Sequence, residues 1–127
     1  MSKRAFGAFS QLQAGTILLE VLVSMLILAL GVLSIVGLQA AAIRNTTDAK
    51  LRADAGFVAN RTISQMWANP SGLDTFKQDK ADLPASDGLP SGKRTVVVNG
   101  RQVTVTITWQ PPGGDIRNVQ MVAHINE

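Results

Sequence analysis

Residues 16–38 read TILLEVLVSMLILALGVLSIVGL, and this stretch decides the fold. It is apolar almost throughout. At 1.5 Å of rise per residue it forms a helix of roughly 34 Å, enough to cross a bilayer core. The h-region of a secretory signal is about 7–15 residues long, so this run is too long for one. A single carboxylate, Glu20, interrupts it near its start, with no basic residue close by in sequence. A charge inside a membrane helix costs roughly 2.5–3.5 kcal/mol at the helix centre and less toward the ends, and such residues normally have a partner. Either Glu20 sits at the membrane interface, or something pairs with it.

Upstream, residues 1–15 (MSKRAFGAFSQLQAG) open with Lys3 and Arg4 and close in small and polar residues, as a leader peptide would. Downstream, residues 39–68 contain no proline, and Leu51, Ala55, Val58, Thr62 and Met66 recur at spacings of three and four. That spacing predicts an amphipathic continuation of the helix. Asp48 with Arg52, and Lys50 with Asp54, stand four residues apart and can pair on its exposed face. Ala68-Asn69-Pro70-Ser71-Gly72 ends the helix, because a residue before proline disfavours the α conformation. One helix is therefore expected from about 17 to 68.

Residues 69–93 read as a loop punctuated by Pro70, Gly72, Pro84, Gly88, Pro90 and Gly92, compatible with a short helical turn near 73–80. The period then changes to two. Thr95-Val96-Val97-Val98, Asn99-Gly100 and Arg101 to Trp109 predict a hairpin, since both central residues of a type I′ turn need positive φ. Val103, Val105, Ile107 and Trp109 share one face. Val119, Met121, Ala123 and Ile125 mark a third strand. Three strands with one apolar face need a cover, and the amphipathic helix supplies it. The fold class is α+β: a long N-terminal helix, transmembrane in its first half and amphipathic in its second, packed against a small antiparallel β-sheet. The expected divisions are a leader at 1–15, an anchor helix at 16–43, and a head at 44–127 made of helix 44–68, loop 69–93 and strands 94–127.

Composition excludes several classes. There are no cysteines, hence no disulfide framework, Cys-ligated zinc or thiol nucleophile. The one histidine, His124, has no convergent ligands in sequence. No GxSxG serine, phosphate loop or His–carboxylate constellation is present, which argues against an enzyme, a cofactor or a small-molecule substrate. The net charge is +3, but two of the twelve basic residues are Lys3 and Arg4. Without them ten basic and nine acidic residues remain, which argues against nucleic acid as a partner. Lys93, Arg94 and Arg101 form a small basic cluster around the hairpin, and a solvated strand edge explains such a cluster.

A cut between Gly15 and Thr16 would create an α-amino group four residues before Glu20, close to one helical turn. The amine and the carboxylate could then meet, within one chain or between neighbours. The segment Gly15-Thr16-Ile17-Leu18-Leu19-Glu20-Val21-Leu22-Val23 resembles the class III signal of type IV pilins and type II secretion pseudopilins. The resemblance implies cleavage after Gly15 by a prepilin peptidase, N-methylation of Thr16, and an assembly role for Glu20. Two positions depart from the family pattern: Thr16 stands where Phe or Met is usual, and Ala14 where a basic residue often stands. Gly31 and Gly37 either weaken the helix midway or allow close helix packing.

Glu20 to Val23, Leu30 to Leu33 and Gly37-Leu38-Gln39 resemble PilV-type minor pilins. That likeness implies a non-catalytic subunit of type IV pilus assembly with a pilin-like fold. Its implied partners are other pilin and minor pilin subunits, the prepilin peptidase and inner-membrane lipid, with the head in the periplasm. A minor pseudopilin of a type II secretion system, a tethered binding module that is never processed, and a DNA-uptake pilin are the alternatives.

Overall fold

The structure is a computed structural model that describes residues 3–127, with side chains from Gln13 onward. The chain divides into two compact units, residues 1–45 and residues 46–127. Helix α1 runs Lys3–Ala68. It starts well before the expected residue 17, since no proline interrupts residues 5–16 and Ala, Leu and Gln there favour a helix. The side chains of Lys3 and Arg4 lie outside the described residues.

In the first unit every described side chain from Gln13 to Asn45 is exposed. Leu26, Leu28, Leu33 and Leu38 are each at least 60% exposed. The helix is long and apolar enough to cross a membrane. The Ser34 hydroxyl donates to Leu30 O at 2.8 Å, so that polar group is satisfied within the helix itself.

In the second unit α1 presents the predicted stripe: Leu51, Ala55, Val58, Thr62 and Met66 are all buried, joined by Ala59. The helix ends as the Asn69–Pro70 junction dictates, and Pro70–Phe76 continues in 3-10 turns that bury Leu73. Four strands follow: β1 (Gln78–Asp82), β2 (Lys93–Asn99), β3 (Gln102–Trp109) and β4 (Arg117–His124). They form one antiparallel sheet in the order β1-β2-β3-β4.

The expected loop 69–93 thus contains a strand, and the sheet has four strands where three were expected. β4 also begins two residues earlier than the apolar alternation marks. The hairpin turn is Gly100-Arg101, one residue later than the expected Asn99-Gly100, because Asn99 pairs with Gln102 as the last residue of β2. Of these residues only Gly100 has positive φ, at +61°, so the turn lacks the two positive-φ residues of the expected type I′ form. Along β3, Val103, Val105, Ile107 and Trp109 are buried while the threonines between them are not. These residues, with Val96 and Ile125, close the core against the helical stripe.

Ion pairs lie at the margins of the fold, one within the helix and two reaching from it to other elements. Lys50 reaches Asp54 at 3.0 Å, as the spacing predicts. Asp48 is 3.6 Å from Arg117 at the start of β4. Arg61 makes two 3.0 Å bonds to the Asp87 carboxylate, whose side chain is only 6% exposed. Both bonds come from one guanidinium nitrogen, Nη2, and they tie the 3-10 turn at Ala85–Asp87 to the helix.

Candidate functional site

Gly15, Thr16 and Glu20 all lie on α1, within the first unit. The Gly15–Thr16 peptide bond is therefore inside continuous helix. Gly15 is exposed, and a Cβ added there would meet nothing within 4 Å. The packing of this chain thus sets no requirement for glycine at that position. Glu20 lies on a helical face with Ile17, Val21, Ser24 and Leu28. These residues recur at three and four, which makes one ridge of an α-helix. The ridge is apolar except for the carboxylate and the Ser24 hydroxyl. No ion pair joins Glu20 to another described side chain.

Gly31 and Gly37 sit in open space, and a Cβ added to either would meet nothing within 4 Å. Neither is held by a contact inside the chain. The helix passes through both without interruption, so neither glycine breaks it.

The basic cluster around the hairpin does not form a patch. Lys93 bonds to Asp82 at 2.7 Å, and this contact holds the Asp82 carboxyl below the usual carboxylate range. Arg101 pairs with Glu127 at 2.7 Å. Arg94 lies on the core-facing side of β2, where its Nε donates to Gln78 at 2.9 Å and its Nη1 to the Thr62 hydroxyl at 3.1 Å. Each of these cations already has an acceptor within the fold.

His124 is exposed at the end of β4. Among the described residues no group of three or more His, Cys, Asp or Glu side chains could hold a metal ion. Sequence reasoning missed the Arg61–Asp87 and Arg94–Thr62 contacts, because each joins residues 26 or more apart and leaves no local pattern. It also missed the exposure of Phe57 and Ile116, both more than 60% accessible. Phe57 lies under the Arg61 guanidinium, 6.0 Å from ring centroid to Cζ.

Comparison with protein-family models, with curated proteins and with solved structures returns no match.

Proposed function

We propose that this chain is a PilV-like minor pilin, a non-catalytic subunit that takes part in type IV pilus assembly. The observation that carries the reading is a lone carboxylate, Glu20, on the exposed apolar segment of α1, four residues beyond Thr16. An anion so placed is costly in lipid unless a cation answers it. Cleavage after Gly15 makes that cation, the α-amino group of Thr16, within about one helical turn. Neighbouring subunits that exchange this pair acquire a fixed axial register, and their apolar faces cover one another.

On this reading the protein is anchored in the inner membrane by residues 16–43, with its sheet unit in the periplasm, until it joins a filament. Its partners are other pilin subunits, the peptidase and lipid.

N-terminal sequencing of the protein isolated from membranes tests the proposal. The expected first residue is Thr16, carrying an N-methyl group. A chain that begins at Met1 in the cell overturns the proposal and leaves a tethered module. Gly15→Ala separates folding from recognition. The substitution should raise helix propensity by about 1 kcal/mol, yet leave the precursor uncleaved on an immunoblot. Glu20→Ala should still be inserted and cleaved, but be lost from sheared filaments.

A further inference from the structure

The sheet has two open edges, and they are built differently. At one edge, β1 is short, carries a register break between Gln78 and Ala81, and holds Lys80 at φ +48°. Lys77, Asp79, Lys80 and Asp82 put charge all along it. Bulges and charges of this kind block strand addition. At the other edge, β4 pairs with β3 over eight unbroken positions, from Trp109 opposite Arg117 to Gln102 opposite His124. Asn118-Val119-Gln120-Met121-Val122-Ala123 contains no charge and no proline.

The direction of the free backbone groups follows from one hydrogen bond. Ile125 N donates to Arg101 O at 2.8 Å, one step beyond the pair of Gln102 and His124. Bonded and non-bonded pairs alternate along an antiparallel ladder. Arg117, Val119, Met121 and Ala123 therefore turn their N–H and C=O groups toward β3. Asn118, Gln120, Val122 and His124 turn theirs to the open side.

We propose that this edge binds a second copy of the same chain, β4 against β4, antiparallel about a two-fold axis at Val122. In that register Val122 faces Val122 of the second copy and Gln120 faces His124 of the second copy, all through outward-directed backbone groups. Val119, Met121 and Ala123 stay on the core-facing side in both copies. Arg117 comes opposite Glu127 of the second copy, and the symmetry repeats that pair at the far end. Of the antiparallel registers that keep both sheet faces aligned, only this one sets the two charges opposite each other. Within one chain Glu127 pairs with Arg101 at 2.7 Å and Arg117 lies 3.6 Å from Asp48; both side chains stay partly exposed, at 70% and 43%, so the contact between copies exchanges these partners. The contact is isologous and closes on two chains, in contrast to the head-to-tail contacts that propagate a filament. A single strand pair buries little area, so the association is weak in solution and gains from a shared membrane anchor. It does not depend on cleavage at Gly15.

The chain has no cysteine, so single thiols report contacts without background. Directly opposed residues of a bonded pair lie about 5.5 Å apart at Cα, within disulfide range. Full-length Val122→Cys, reconstituted in phospholipid vesicles and mildly oxidised, should form a homodimer. Its initial rate should be at least about tenfold above that of Val97→Cys, an exposed residue on β2, because fixed proximity outruns chance collision. Differently tagged Gln120→Cys and His124→Cys chains should cross-link to each other when mixed, and much less when either is alone. Adding Val122→Lys to both should abolish that mixed product, since two ammonium groups would then meet on the axis. Equal rates for Val122→Cys and Val97→Cys would overturn the proposal. So would absence of the mixed product, or, in native membranes, capture of Val122→Cys on a different protein in place of a second copy.

Discussion

The two halves of α1 differ in where their apolar faces find cover. Between residues 46 and 68, Leu51, Ala55, Val58, Thr62 and Met66 are buried by a sheet that the same chain supplies. Between residues 16 and 43 the side chains are more apolar still, and every one is exposed. The hydrophobic effect acts on both, in proportion to area. A stripe on one face needs one layer of cover, which about 60 residues can provide. A helix that is apolar all round needs cover on all sides, and among the described residues none covers residues 16–43. That half is long and apolar enough to cross a membrane, whereas the second half carries a one-sided stripe.

That contrast is breakable by substitution. The largest effect belongs to the sheet unit: Trp109→Ala should cost about 3–5 kcal/mol and Met66→Ala about 2–5 kcal/mol in denaturant unfolding of the full chain in micelles. Leu26→Ala, on the exposed half, should leave the same transition unmoved. A comparable loss at Leu26 would mean that the two halves are not separate in their packing. Next, Arg61→Ala removes both bonds to a nearly buried carboxylate and should cost about 1–2 kcal/mol, reduced from the buried-pair range because the arginine is itself part exposed.

Gly100→Ala should cost about 1 kcal/mol, because φ at +61° is maintained by the hairpin turn. The smallest effect is at Asp82. Its folded pKa is depressed, first by the hydrogen bond from Lys93 and then by that residue's charge. The stabilisation is thus present above the ordinary carboxylate pKa of about 4 and lost as pH falls through the lower folded value. Asp82→Asn should flatten the acid limb of a stability–pH curve slightly and leave neutral stability almost unchanged.

The helical stripe and the pairing of β2 with β3 were legible in the sequence, since each rests on a local period, whereas the turn between the strands sits one residue later than Asn99-Gly100 suggests. The extra strand was not. Gln78-Asp79-Lys80-Ala81-Asp82 has one apolar side chain, so it carries no alternation. It is a strand because Gln78, Ala81 and Asp82 pair with Val96, Arg94 and Lys93, a property that belongs to distant residues. The partner of Asp48 was misread for the same reason. Spacing offers Arg52, whereas the fold brings in Arg117. The candidate site stood out because a carboxylate in an apolar run is conspicuous at any level of description. The open edge of β4 left only a faint trace, an uncharged run flanked by Arg117 and His124, and its backbone polarity could be assigned only through the bond from Ile125 to Arg101.

Thr62 belongs to the buried stripe by spacing, yet its hydroxyl is a relay. It donates to Val58 O at 2.9 Å and accepts from Arg94 at 3.1 Å. Valine would fill the same volume and keep the helix face greasy, so by shape alone the exchange looks harmless. It would nevertheless orphan one arm of a guanidinium wedged between helix and sheet, where water has poor access. The hydroxyl thus acts as a key cut for a single lock: slide β2 by one residue and Arg94 swings to the far face, leaving the key with nothing to turn.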